Sequence, residues 1–116
     1  MRAAGQLVLM PFAFTDQSGT KLRPALLLCR APGRHDDWLV CMISSRVQQA
    51  EAGFDEIVAQ TDADFARSGL KVTSAIRLAR LAVVEASVLA GAIGSIAPER
   101  LNGVRRRLAE WIATAS

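Results

Sequence analysis

The sequence predicts a mainly β protein, a small antiparallel β-barrel capped by one C-terminal α-helix. Three observations predict it. Short apolar runs separated by polar clusters with Gly or Pro recur along most of the chain. No strand–helix alternation of the kind that builds a parallel sheet is present. Only the last stretch carries a sustained apolar period of 3.6 residues. The 116 residues have the length of a single domain, residues 1–116. Folding at that size buries roughly 65% of the unfolded surface, enough for a core without staples.

Residues 7–14 form an apolar run ended by a turn cluster and read as the first strand. The cluster, residues 15–21, is polar and contains Gly19. Arg23-Pro24 then opens a second run, residues 25–29. Pro24 suits a strand start or an edge, because it has no N–H to give to a ladder. A loop over 31–37 precedes a third strand over 38–43. Further on, residues 54–59 read as a strand and 62–67 as one helical turn closed by Gly69. Residues 73–78 and 81–84 read as strand segments, the second bearing β-branched Val83 and Val84, and 90–96 as another. Pro98 and Glu99 suit a first helical turn. Leu101, Val104, Leu108, Trp111 and Ile112 then share one helical face, leaving Arg100, Arg105, Arg106, Arg107 and Glu110 around the rest.

Composition narrows the class. Hydrophobic residues are 51% and charged residues 22%, which excludes disorder. A mean hydropathy of +0.23 is high for a soluble protein and points to apolar surface for a partner or a homodimer. The net charge of +3, with Arg supplying twelve of the fourteen cations, is compatible with phosphate contacts but also with an ordinary domain. Cys29 and Cys41 form no CxxC pair, and His35 is the only histidine, so no His/Cys metal framework is expected. Both cysteines read as buried, reduced thiols. Gln6 and Pro11 interrupt the weakly signal-like start, and the uncharged run over 86–98 is too short to span a bilayer. The expected location is the cytoplasm, with no membrane partner.

Most enzyme templates are missing: there is no GxSxG, P-loop, GxGxxG after a strand, or HExxH. A Cys–His nucleophile pair is disfavoured because both cysteines fall in apolar strands. Residues 105–107, three consecutive arginines, point ~100° apart on a helix and read as a solvated face rather than one nucleic-acid patch. Arg23 lies where a polar Gly/Ser loop meets a strand, and Ser44 lies at the exit of another, both places where functional groups sit on a rigid scaffold.

Taken in order, Gly5 to Asp16, then Arg23-Pro24-Ala25-Leu26-Leu27-Leu28, resemble the opening of the PemK/MazF-type toxins of bacterial type II toxin–antitoxin pairs. The resemblance continues through Cys41-Met42-Ile43-Ser44-Ser45, Gly69-Leu70-Lys71-Val72, Ser74-Ala75-Ile76-Arg77-Leu78 and Leu81. It closes with Ile93 to Leu101, leading into the final helix, and so spans nearly the whole chain.

The resemblance implies an SH3-like barrel, a homodimer, and a cognate antitoxin with an acidic segment that occupies the RNA groove. It implies sequence-specific, metal-independent cleavage of single-stranded RNA (mRNA), with no cofactor. The RNA 2′-OH attacks the adjacent phosphate and leaves a 2′,3′-cyclic phosphate. By the same resemblance, Arg23 and Ser44 are catalytic: the guanidinium offers fixed positive charge and the hydroxyl a hydrogen bond to the phosphate. Phe14, Thr15, Asp16, Ser18, Lys21, Ser45 and Arg77 are the implied RNA contacts. This chain departs from the family at Gln6, where an acidic residue is usual, and at Ala79, where some relatives place a carboxylate. Other relatives use a glutamate in the gating loop, where this chain has only Asp16 near its start, so the resemblance assigns no general base and Asp16 is one candidate. The alternatives are a non-catalytic toxin of the same fold that binds and poisons DNA gyrase, or a degenerate binding module.

Overall fold

Alternating apolar side chains on successive strands create a sheet that is buried on both faces. The computed structural model describes residues 1–13 and 20–116, without the side chains of 12, 13 and 20. Its strands are β1 (Gln6–Ala13), β2 (Thr20–Arg30), β3 (Asp37–Ser44), β4 (Glu56–Val58), β5 (Ser74–Glu85) and β6 (Gly91–Ser95). Among the described residues two α-helices are present, the single turn α1 (Phe65–Ser68) and the long α2 (Pro98–Thr114). The strands form one antiparallel sheet in the order β4-β5-β3-β2-β1-β6.

The period of two sorts the core into two clusters. Leu7, Leu26, Leu28, Cys41, Ile43, Ile76 and Leu78 point to one face, where Leu101, Val104 and Leu108 of α2 cover them. Burying each of those three helix side chains contributes about 1.5–3 kcal/mol. Val8, Met10, Ala25, Leu27, Trp38 and Val40 point the other way and pack with Leu89 beyond β5. The mainly β half-barrel with a C-terminal helix is therefore the fold expected.

Backbone approach closes the open side of the sheet. Gly69 ends α1 in the left-handed region at φ 76°. A Cβ there would fall within the carbonyl of Ile93, and a Cβ on Gly94 within the backbone of Arg67 and Ser68. Only glycine permits α1 to sit this close to β6.

Several local expectations need correction. The two segments predicted over 73–78 and 81–84 are one strand, β5, interrupted by a bulge. Met42 faces Arg77 but Cys41 faces Leu81, so residues 78–80 leave the ladder. The strand predicted over 54–59 shrinks to Glu56–Val58, because Asp55 closes a tight turn that begins at Glu51. Pro24 lies inside β2, paired with Leu9 of β1, yet it keeps an edge on its other side because the β3 ladder starts at Ala25. Cys29 is exposed rather than buried, while Cys41 is buried, and both are free thiols.

The arginines of α2 are not a uniformly solvated face. Arg100 is nearly enclosed by carboxylates. Arg105 donates to the Leu28 carbonyl, and Arg107 donates to the Phe54 carbonyl and to Glu56. Arg106 remains exposed. At the end of the helical face, Trp111 is half-exposed against Phe54 and Ile112 is open to solvent.

Candidate functional site

Residues of β2, β3 and β5 converge on a cleft of about 390 Å³ lined by four arginines. β2 supplies Arg23, one residue before Pro24, and β3 supplies Ser44 at its last position. β5 supplies Arg77, opposite Met42, and its bulge supplies Arg80. Arg46, just after β3, and Gln49, in the 3-10 turn Val47–Gln49, complete the polar wall. Four permanent cations in one concavity make a site for an anion with several oxygens.

Local hydrogen bonds orient two of these groups. Ser44 Oγ accepts from the Arg46 N–H at 3.1 Å, which leaves the hydroxyl proton available to a ligand. Arg77 Nε donates to Asp55 Oδ2 at 2.8 Å, so its terminal nitrogens remain for the cleft. Arg23 also lines a second cleft of about 390 Å³ that is mainly apolar, with Leu9, Leu22, Ile43, Leu70 and Val72 beside Ser45 and Lys71. Arg23 thus stands on the divide between a cationic and an apolar hollow.

The structure brings together Arg23, Ser44 and Arg77, and places Ser45 next door. Lys21 is exposed on β2 and lines neither cleft. Phe14, Thr15, Asp16 and Ser18 lie outside the described residues. Ala79 is exposed in the β5 bulge. Burial, then the nearby Asp55 carboxylate, pushes the Cys41 thiol up to about 12, so it is no nucleophile at neutral pH. Sequence reasoning missed Arg46, Arg80, Gln49 and Asp55. Arg46 was within reach, since it follows Ser44-Ser45 directly. Arg80 was not, because on a regular strand it points away from Arg77 and only the bulge turns it into the cleft.

A third and larger cleft, about 520 Å³, is acidic and lies between α1, β4 and the start of α2. Three of its four carboxylates, those of Glu56, Asp62 and Asp64, are already engaged. Arg100 Nε and Nη2 hold Asp64 at 2.9 and 3.0 Å, Nη2 also reaches Asp62 at 2.8 Å, and Nη1 reaches Glu56 at 2.9 Å. The hydrogen bond from Arg100 lowers the Asp64 pKa. For Asp62 the Ala59 N–H comes first and Arg100 second. This is a structural ion network, and among the described residues no group of three or more His, Cys, Asp or Glu side chains is arranged to hold a metal ion.

Comparison with known proteins agrees with the fold. The family described as PemK-like, MazF-like toxin of type II toxin-antitoxin system matches residues 3–112. Among solved structures, the Mycobacterium tuberculosis toxin MazF-mt6 superposes with a TM-score of 0.66 at 17% identity, over 93% of this chain and 96% of that one. No curated protein matches the sequence. No helix among the described residues is long and apolar enough to cross a membrane.

Proposed function

The chain belongs to the PemK-like, MazF-like toxins of type II toxin–antitoxin systems, and from that premise we propose that it is an endoribonuclease acting on single-stranded RNA. The observation that carries the proposal is the grouping of Arg23, Arg46, Arg77 and Arg80 around the Ser44 hydroxyl in one cleft. Arg23 stabilises charge on the equatorial oxygens of the phosphorane formed when the 2′-OH attacks. Its high pKa makes that role electrostatic rather than proton transfer. Ser44 donates a hydrogen bond to the same phosphate. The apolar cleft on the other side of Arg23 suits a base next to the scissile phosphate.

None of the described residues lining the cationic cleft is a carboxylate, a histidine or a lysine. Asp16, near the start of the loop in which some relatives carry a glutamate, is the residue proposed to take the 2′-OH proton. As the P–O2′ bond forms the P–O5′ bond breaks, and the departing 5′-oxygen takes a proton from water. The chemistry needs no metal in this scheme, because guanidinium groups supply the positive charge. The reading includes a homodimer and a cognate antitoxin that competes with RNA for the cationic cleft.

The test is incubation of the purified protein with long single-stranded RNA in excess EDTA, beside Arg23→Ala, followed by mapping of the cut ends. Discrete cuts ending in 2′,3′-cyclic phosphate are expected, with a loss of about 10²–10³-fold in the variant. Intact RNA from folded protein would overturn the nuclease reading and leave gyrase poisoning or a degenerate binding role.

A further inference from the structure

Asp55 belongs to neither cleft, yet it contacts the element that builds the cationic one. Its side chain is 3% exposed. Oδ2 accepts from Arg77 Nε at 2.8 Å and from the Glu51 N–H at 2.9 Å. Oδ1 accepts from the Leu78 N–H at 3.0 Å. Leu78 is the first residue of the β5 bulge, so one carboxylate holds both the Arg77 guanidinium and the start of the segment that carries Arg80.

The turn that bears Asp55 is itself fixed from the far side. Gly53 adopts φ 78° within it, and the Asp55 N–H returns to the Glu51 carbonyl at 2.9 Å. Arg107 of α2 donates to the Phe54 carbonyl at 2.7 Å. The Phe54 ring meets Trp111 edge-on, with centroids 5.4 Å apart. The carboxylate is therefore a rigid anchor, connected through this turn to the terminal helix.

We propose that Asp55 is a positioning residue for RNA: it holds Arg77 by Nε so that the terminal nitrogens face the phosphate, and it pins the bulge that presents Arg80. The proposal rests on the ribonuclease reading of the cleft. A guanidinium tethered at one nitrogen loses little side-chain freedom when it binds, whereas an untethered one must be ordered at each encounter. Asp55→Asn still offers one oxygen to the Leu78 N–H that pins the bulge, so the effect it removes is the one that passes through Arg77, and this is measurable as coupling between the two residues.

Asp55→Asn keeps the size and one acceptor oxygen but places an amide where the Arg77 Nε–H needs an acceptor. Binding of a 2′-O-methylated, mixed-sequence RNA oligonucleotide, which lacks the attacking hydroxyl, would be read by anisotropy across a salt series. Asp55→Asn should weaken binding about tenfold and make the slope of log affinity against log salt shallower by about 0.7, the value of one single-strand phosphate contact. In an Arg77→Ala background the same substitution should change binding less than twofold. Equal losses in both backgrounds would overturn the proposal, because Asp55 would then act on stability alone.

Arg77→Lys provides a second route that leaves Asp55 intact and serves if Asp55→Asn does not fold. It keeps the charge but lacks the tethered fork, and should bind as weakly as Arg77→Ala. Wild-type binding by Arg77→Lys would overturn the proposal. The parent reading fails separately: wild-type protein that neither binds nor cuts RNA removes the ligand and overturns both.

Discussion

Arg100→Ala removes a side chain whose surroundings the helical pattern of α2 does not reveal. The guanidinium is 14% exposed and makes hydrogen bonds to Asp64, Asp62, Glu56 and the Ile57 carbonyl. Without it, Asp64, whose side chain is 6% exposed, keeps the Ala97 N–H at 2.9 Å from outside its own turn but loses its cationic partner. Breaking a buried pair costs about 3–5 kcal/mol. The lower end applies here, because Glu56 and Asp62 keep 24% and 34% of their side-chain surface in water. With an unfolding entropy of about 0.24 kcal/mol/K for 116 residues, a loss of about 3 kcal/mol lowers Tm by roughly 12 °C.

The pH dependence has a definite sign. The Asp64 pKa is held down in the folded protein, first by its hydrogen bond from Arg100. Its contribution is therefore complete above the ordinary carboxylate range, near pH 4, and is lost as pH falls through the lowered folded value. Thermal unfolding followed by circular dichroism from pH 7 to pH 3 should show a large gap between wild type and Arg100→Ala at pH 7. The gap should narrow below about pH 4. A drop of less than about 3 °C at pH 7, or a gap independent of pH, would refute a stabilising network and restore the view of Arg100 as a solvated charge.

Two further outcomes follow from packing. Gly94→Ala would drive a Cβ into the backbone of Arg67 and Ser68 and should cost at least about 1–3 kcal/mol in denaturant unfolding; an unchanged midpoint would contradict the close approach of α1 to β6. In the native protein at pH 8 a thiol reagent should quickly modify Cys29, which is exposed, and leave Cys41, which is buried with its thiol pushed up to about 12. Two equally fast thiols would show that the core around Cys41 opens readily.

What could be read from the chain alone was whatever local chemistry decides. The strands β1, β2 and β3 were legible because apolar runs between turn clusters are a short-range signal, and α2 because Pro98, Glu99 and the 3.6-residue spacing agree. Arg23 and Ser44 became candidates by lying next to loops and by resemblance to a family, although Arg23 lies inside β2 and not at its start. Tertiary structure decided the rest. Arg77 and Arg80 lie in one cleft only because residues 78–80 leave the β3 ladder, and the Asp55 carboxylate that holds the bulge is twenty-three positions from the Leu78 N–H it accepts. Arg100 looked like any other helix-surface arginine until Glu56, Asp62 and Asp64, from β4 and the turn before α1, were folded around it. Periodicity records which face of an element is apolar. It carries no information about which distant charge or backbone group will meet the polar residues, and in this protein those meetings shape the cleft.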